Sequence, residues 1–582
     1  MTDVAVSASG LLRRFSELGV LSWADVHPAQ HLCFLYGEAD ERVALAAALA
    51  VRALRAGSLC VDLLDAPRAA EQWERADDQP GAGGGAAVPA EAWPESSGWL
   101  AAVGASPAVT PGDAPDEGGG RARPLRLAGG LLYLERYWQD QETVRTRVLA
   151  RLAAVDAPLG VVPDAASDDL RAADQDTAVS TALTSGLTVI AGGPGTGKTH
   201  VIARIVRAFT TGPSPALVAL AAPTGKAAAR MTESLRREGL DRPGAEVAAS
   251  TVHRLLGWKP GSRTRFRHDD ANPLPHDVVI VDELSMVSMT LMARLLAALK
   301  PGARLVLVGD PDQLASVEAG AVLADLTQAS SLRSAVVRLR HNFRFDGAIA
   351  ELAGAIRDSD ADTALAVLRR GGPVRLMAAP DATDALRARC VRAGTRLFRA
   401  ATSGDAAGAL AALDEHRLLC AHRRGAFGVQ HWSRTVTGWL VDDVPGYSAE
   451  GEFYVGRPLL MTANTSELGL YNGDTGVVLA GDDGPDAVFA TGAGPRRFSP
   501  YLLDGLTSVH AMTIHKSQGS QFQHVSVILP PVESPLLTRE LLYTAVTRAS
   551  EGVLLVGGED AVRSAIARPA ARTSGLRSRL DG

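Results

Sequence analysis

"LTVIAGGPGTGKTH", residues 187–200, joins an apolar run to a glycine-rich loop that closes on Lys198 and Thr199. From Gly192 to Thr199 it fits the phosphate-loop pattern G-x-x-x-x-G-K-[ST] without a mismatch. Glycines let backbone N–H groups wrap phosphate oxygens, and the helix that follows turns the positive end of its dipole toward them. On this reading Gly192, Gly193, Pro194, Gly195, Thr196 and Gly197 form the cradle. Lys198 neutralises the β- and γ-phosphates and Thr199 offers a hydroxyl to Mg2+. The stretch points to a nucleoside triphosphatase and leaves open what the hydrolysis drives.

Working outward, "ALVALAAP" (216–223), "DVVIVDE" (277–283) and "ARLVLVGD" (303–310) are apolar runs that end in polar residues and alternate with helical segments. Such near-continuous apolar strands belong to a parallel sheet covered on both faces, with ligands at the carboxyl ends of the strands. Asp282 is placed to hold the metal ion, and Glu283 to orient the attacking water. Asp310 and Gln313 in "LVGDPDQLASVEAG" (307–320) end another strand, where an amide can sense a γ-phosphate. A second α/β unit follows, with strands in "RLLCAH" (417–422), "HVSVILP" (524–530) and "GVLLVGG" (552–558). Inside it, "GRPLLMTANTSELGLYNGDTGVVLA" (456–480) reads as two strands with an Asn472-Gly473 turn, a small β module.

The chain has 582 residues, too many for one core, and a net charge of −6 that neither supports nor excludes a nucleic-acid partner. Cys33, Cys60, Cys390 and Cys420 lie far apart with no CxxC pair, so reduced, buried thiols are expected rather than a zinc site or a disulfide framework. The N-terminus lacks a signal-peptide apolar core, and "VALAAALAVRAL" (43–54) is too short to span a bilayer. A soluble, cytoplasmic protein is expected. Residues 1–75 read as helical. Residues 79–123 are rich in Gly, Pro and Ala and read as a flexible linker, and 125–152 as a short strand pair and a helix.

Arg344 in "LRHNFRF" (339–345) and Arg548 in "LLYTAVTRAS" (541–550) are candidates to neutralise transition-state charge on a γ-phosphate. "SVHAMTIHKSQGSQF" (508–522) is too polar for a core strand and reads as a strand-to-loop segment. "APTGKAAARM" (222–231) and "STVHRLLG" (250–257) set Thr, Lys and His at strand or helix starts, where such groups can meet phosphates without reading sequence.

The order GGPGTGKT, APTGKAAAR, STVHRLLG, VIVDELSMV, LVGDPDQLASV, HNFRF, TIHKSQGSQF, YTAVTRA resembles that of superfamily 1 DNA helicases of the 5′-to-3′ branch. Within that branch it is most similar to the RecD family, the α subunits of RecBCD-type helicase-nucleases (exodeoxyribonuclease V). Residues 14–60 resemble the family's subunit-docking region, and 124–144 the segment preceding its motor.

The resemblance implies an α/β protein with two RecA-like parallel-sheet motor domains, a small β-barrel-like insertion and a mainly helical N-terminal domain. The expected divisions are an N-terminal docking domain over 1–123 with 79–123 disordered, a connecting segment over 124–164, a first RecA-like domain over 165–355, and a second over 356–582 with the insertion at about 445–505. ATP and Mg2+ are the implied cofactors, with Gln175 reading adenine. Lys198, Thr199, Asp282, Glu283, Gln313, Arg344 and Arg548 fall on the hydrolysis set. Pro223, Thr224, Thr251, His253, Thr513 and His515 fall in motifs that contact single-stranded DNA. Gln521 stands where many relatives have Glu, which implies altered nucleotide affinity. The implied partners are DNA and RecB-like and RecC-like subunits in a heterotrimer, with no membrane. Nuclease activity is assigned to a partner, because no carboxylate-lysine nuclease constellation is visible. The alternatives are a stand-alone helicase of the same branch and a non-motor scaffold subunit.

Overall fold

The computed structural model describes residues 8–74, 88–113, 122–154, 172–211, 214–240, 248–259, 265–316, 318–343, 347–465, 467–491, 494–570 and 572–582. Among these, twenty strands fall into four sheets. The first sheet holds β1 (Cys60–Asp62), β2 (Val109–Pro111), β3 (Leu125–Ala128) and β4 (Leu131–Leu134) in the order β1-β4-β3-β2. Helices Gly10–Glu17, Trp23–Tyr36, Glu41–Arg55 and Ser96–Ala105 share a core with it. Glu41–Arg55 is alanine-rich and lies at its centre, with Leu45 and Leu49 fully buried.

One expectation for this region holds and one changes. The N-terminal region is mainly helical, and its helices pack on the four-stranded sheet. The stretch 79–123 is ordered over 88–113, while its remaining parts lie outside the described residues apart from 122 and 123. Trp99 and Val103 are the reason: both are buried in the N-terminal core, and Trp99 donates its indole N–H to the Arg42 carbonyl at 2.8 Å. A few large apolar groups overcame the Gly/Pro/Ala composition.

The first motor sheet comprises β5 (Leu187–Gly192), β6 (Val218–Ala222), β7 (Ala249–Thr251), β8 (Val278–Val281), β9 (Arg304–Gly309) and β10 (Val336–Leu339). All pairs are parallel, in the order β10-β5-β9-β8-β6-β7. Every residue of β5, β8 and β9 is buried, as a sheet covered on both faces requires.

The second motor sheet also pairs in parallel, in the order β11-β20-β19-β12-β18. Its strands are β11 (Val374–Met377), β12 (His416–Cys420), β18 (Ala511–Thr513), β19 (Phe522–Ile528) and β20 (Ala549–Val556). The segment read as too polar for a core strand contributes β18, whose three residues are all buried at the sheet's edge.

Between β12 and β18 lies the insertion, β13 (Pro458–Met461), β14 (Thr475–Gly481), β15 (Gly484–Thr491), β16 (Gly494–Phe498) and β17 (Leu506–Ser508). It is antiparallel in the order β16-β15-β14-β13-β17. The two strands expected over 456–480 are β13 and β14, and β15, β16 and β17 extend the module to five; among the described residues no pairing joins β16 to β17.

Both expected edges of the second motor domain move. Helix Ala348–Arg357 places Ile349, Leu352 and Ile356 in the second domain's core. The last helix, Leu576–Asp581, returns to the first motor domain, where Leu576 and Leu580 are buried with Val144, Val148 and Leu326.

Candidate active site at the motor-domain interface

Strands β5, β9 and β8 lie side by side, so the loops leaving their carboxyl ends converge. From β5 the phosphate loop runs into helix Lys198–Thr210. Gly195 and Gly197 have φ of 84° and 80°, a region an L side chain rarely enters. The loop is tied to itself and its surroundings. Thr196 Oγ1 donates to the Gly193 carbonyl at 2.9 Å, and Lys198 Nζ donates to the Gly192 and Gly193 carbonyls at 2.7 and 2.9 Å. Those carbonyls hold the ammonium where phosphate oxygens would take it. Gln175 is buried and its Nε2 donates to the Thr196 carbonyl at 3.2 Å, which places the amide against the loop. Asn342 Nδ2 donates to the Pro194 carbonyl at 3.0 Å and the Phe343 N–H to the Gly195 carbonyl at 2.8 Å. Arg344, the next residue, lies outside the described residues.

Burial and the charge of Glu283 push the Asp282 carboxyl up to about 7, with Lys198 opposing. Glu283 follows at φ 53°, an uncommon conformation for a side chain of its size. Asp310 is buried and its carboxyl is raised by that burial, against the pull of Lys198 and its hydrogen bonds. Gln313 Nε2 donates to Asp310 Oδ2 at 2.8 Å, so the proposed γ-phosphate amide is anchored to it. Thr199 and Asp282 supply hard oxygen donors, a set that suits Mg2+.

The second motor domain closes the site. Arg548 is buried; its Nε donates to the Thr544 carbonyl at 3.1 Å and its Nη1 to the Ser520 carbonyl at 3.3 Å. Its charge interacts with Glu283 and Asp310 of the opposite domain. Tyr543 hydrogen-bonds Asp310 across the interface. Gln518 Nε2 donates to the Leu314 carbonyl at 2.7 Å, and the Leu314 N–H donates to Thr544 Oγ1 at 2.9 Å. Gln521 is partly buried at the entry to β19, next to Ser520.

The candidate DNA contacts form two groups. Pro223 and Thr224 follow β6, and Thr251 ends the adjacent β7, where it pairs with Ala222. Thr224 and Thr251 each cap a helix, accepting from the Ala227 and Arg254 N–H groups at 3.2 and 3.1 Å. His253 lies apart, lining a cavity of about 270 Å³ with Leu54, Tyr137 and Glu318, its ring 5.9 Å from Phe266. Thr513 and His515 stand on the second domain at the end of β18. Burial, with Arg572 and Arg423 nearby, holds the His515 imidazole down at about 4. Lys226, grouped at the sequence level with residues that meet phosphate, turns its ammonium to the Gly473 carbonyl and Ser520 Oγ instead.

Tyr543, Asp310 and Lys226 carry interface contacts that motif reading did not assign them. The sequence signal was present, since all three sit inside the quoted motifs, but the partner of each lies on another domain. The four cysteines are buried and unpaired with one another. Among the described residues no helix is long and apolar enough to cross a membrane.

Residues 175–319 match the AAA domain, 508–556 the UvrD-like helicase C-terminal domain, and 17–133 the N-terminal domain of RecBCD enzyme subunit RecD. The chain is 50% identical to RecBCD enzyme subunit RecD of Mycobacterium tuberculosis H37Rv, covering 100% of this chain and 98% of the relative. It is also 50% identical to the subunit of Mycolicibacterium smegmatis, over 98% and 99% of the two chains. With that of Haemophilus influenzae it shares 30% identity over 79% and 81%. Among solved structures, Bacteroides Pif1 bound to single-stranded DNA is 18% identical, covering 67% of this chain and 92% of that one, with a TM-score of 0.38.

Proposed function

The chain belongs to the RecD family of RecBCD enzyme subunits, ATP-dependent superfamily 1 DNA helicases of recombinational repair, and on that premise we propose that it is the 5′-to-3′ motor of such a complex. The observation that carries the reading is the interface itself. Arg548 and Tyr543 of one motor domain face Glu283 and Asp310 of the other, so the two domains meet at the hydrolysis site.

In this reading ATP enters between the phosphate loop and Arg548. Lys198 exchanges the Gly192 and Gly193 carbonyls for phosphate oxygens, and Gln175 holds the adenine edge. Thr199 and Asp282 would hold Mg2+, which when bound supplies charge neutralisation on the β- and γ-phosphates. Glu283 orients the attacking water, and Gln313, Arg344 and Arg548 meet the γ-phosphate. Loss of that phosphate releases the amide and the arginines, and the cleft opens. The segments with Pro223, Thr224, Thr251 and His253 then separate from those with Thr513 and His515, advancing one strand. Gln521 reaches toward the ribose.

The N-terminal domain docks on a RecC-like subunit, while a RecB-like subunit pulls the other strand and carries the nuclease. The complex works on DNA ends in the cytoplasm. Unwinding of duplexes with a 5′ or a 3′ tail tests this, run with the chain alone and with both partner subunits, the partner motor disabled. Opening of the 5′-tailed duplex only, and best in the complex, is expected. Opening of the 3′-tailed duplex, or full-rate unwinding by the chain alone, overturns it.

A further inference from the structure

Ser520 is bonded from two directions. Its carbonyl accepts from Arg548, the arginine facing the hydrolysis site, at 3.3 Å. Its hydroxyl meets Lys226 Nζ at 2.8 Å, and Lys226 belongs to the other motor domain, two residues beyond Thr224. The same ammonium donates to the Gly473 carbonyl of the insertion at 3.1 Å. One turn further along the helix Gly225–Arg237, Arg230 donates to the Gly519 carbonyl. Beside Lys226, Gly225 is packed so closely by the insertion that a methyl group there would lie 2.2 Å from Tyr471 Cγ. The insertion loop is braced for this contact, with the Tyr471 N–H donating to Asp474 Oδ2 at 2.8 Å and the Asn472 N–H to Asn464 Oδ1 at 2.8 Å.

A lysine half-buried at a domain boundary with uncharged direct partners costs desolvation energy that a surface lysine avoids. The groups facing it are Arg230 on its own helix, Asp474 on the insertion, and Asp414 and Arg417 on the second motor domain. Burial dominates and holds the ammonium down at about 8. A contact of that cost, in a chain whose two motor domains must move against each other, is a place where movement at one site is felt at another.

We propose that Lys226 is a positioning residue that couples the ATP site to the strand-gripping edge of the first motor domain, through Ser520 and the insertion. When Arg548 shifts with the γ-phosphate, Ser520 shifts with it. Lys226 carries that displacement to the start of its helix and so to Thr224. The inference rests on the helicase activity, not on which strand polarity the motor follows.

The test uses the full chain assembled with its partner subunits, the partner motor disabled, and compares Lys226→Met, Lys226→Arg and Gly225→Ala with the parent. The readouts are ATPase without DNA, ATPase with saturating oligothymidylate, and ATP consumed per base pair unwound. Lys226→Met is expected to keep the DNA-free rate and lose about tenfold of the stimulation, as for loss of a hydrogen bond to a charged group. It should also use more ATP per base pair. Lys226→Arg should recover most of the coupling. Gly225→Ala, whose methyl pushes Tyr471 away without touching the ammonium, should reproduce part of the loss. In the parent, stimulation should fall as pH rises through about 8, and in Lys226→Arg it should not. Unchanged stimulation and ATP economy in both Lys226→Met and Gly225→Ala overturn the proposal. So does an equal fall in DNA-free and DNA-stimulated rates, which would mark Lys226 as part of the hydrolysis machinery or of the fold.

Discussion

Tyr543 of the second motor domain ends against Gly193 of the phosphate loop: a methyl group on Gly193 would lie 2.8 Å from the tyrosine hydroxyl oxygen. The same hydroxyl bonds Asp310, which anchors Gln313. One side chain therefore touches the phosphate loop and the carboxylate that anchors Gln313. It does so from the opposite motor domain.

Gly193→Ala should accordingly damage the motor in a way that depends on Tyr543. Its Cβ forces the tyrosine back and with it the interface, and a loss of about tenfold in DNA-stimulated ATPase is expected. Adding Tyr543→Phe removes the clashing oxygen and should return part of the rate. A double-mutant cycle measures the coupling. Strict additivity would mean that Gly193 is needed only for backbone approach to the phosphates.

Lys198→Gln removes the ammonium but leaves a chain that can still donate to the Gly192 and Gly193 carbonyls. ATP hydrolysis should fall by roughly a thousandfold, the scale of losing a preorganised charge at a phosphoryl-transfer site. The denaturation midpoint should stay close to that of the parent. Steady-state ATPase and a melting curve on the same preparation check both halves.

Gln175 is expected to act on nucleotide affinity rather than on the chemical step. Its amide is fixed by the Thr196 carbonyl at 3.2 Å and lies against Gly197, where an added Cβ would come within 2.4 Å of Nε2. Gln175→Ala should raise KM for ATP about tenfold, the scale of one buried hydrogen bond, with kcat within about twofold. The gap between ATP and GTP as fuels should narrow. A fall in kcat at unchanged KM would move Gln175 into the hydrolysis machinery.

The site was legible where function forces residue type at fixed spacing. Gly192–Thr199, Asp282-Glu283 and Asp310 with Gln313 follow apolar strands, and a parallel sheet delivers such strand ends to one edge. What escaped was tertiary. Strands β7, β10 and β11 are three or four residues long, too short for periodicity to separate them from loops. Trp99 rescued a stretch that composition assigned to a linker. Nothing local to Leu576 or Leu580 says that the chain crosses back to the first motor domain, and Lys226 reads like any phosphate-seeking lysine until Gly473 and Ser520 are placed beside it.

That returning tail creates a pH dependence. Asp325 accepts from Ser574 Oγ at 2.6 Å, and burial raises its carboxyl to about 6 despite the bond. A carboxyl raised on folding favours the native state fully below its unfolded value of 3.8 and loses that contribution as pH rises through about 6. Asp325→Asn keeps an acceptor for Ser574 and removes the charge. It should be more stable than the parent above pH 6, by about 3 kcal/mol at most, and converge with it near pH 4. Urea denaturation at both ends of that range decides it. A parent that is more stable at pH 8 would mean that Asp325 is ionised at little cost.

The tail's other role is mechanical. Leu576 is fully buried with Val144 and Val148 of helix Glu135–Ala153 and with Leu326 and Leu332. Around it the Leu59 N–H donates to the Thr573 carbonyl at 2.8 Å, and the Tyr133 hydroxyl donates to that of Ser574 at 3.3 Å. The Arg579 guanidinium lies 4.8 Å from the centre of the Trp138 ring. These contacts join the N-terminal domain to the first motor domain through a segment that starts on the second. Leu576→Ala should cost about 2–5 kcal/mol, since the surrounding helices cannot collapse fully onto the cavity. The loss should appear as earlier release of the N-terminal domain, because its sheet and the last helix share Tyr133 and Ser574. Hydrogen exchange should therefore rise first in Leu131–Leu134 and Glu135–Ala153, while the amides of Leu187–Gly192 stay protected and ATP hydrolysis at 25 °C is unchanged. Simultaneous loss of protection in β5 would show instead that the tail is part of the motor domain's own cooperative unit.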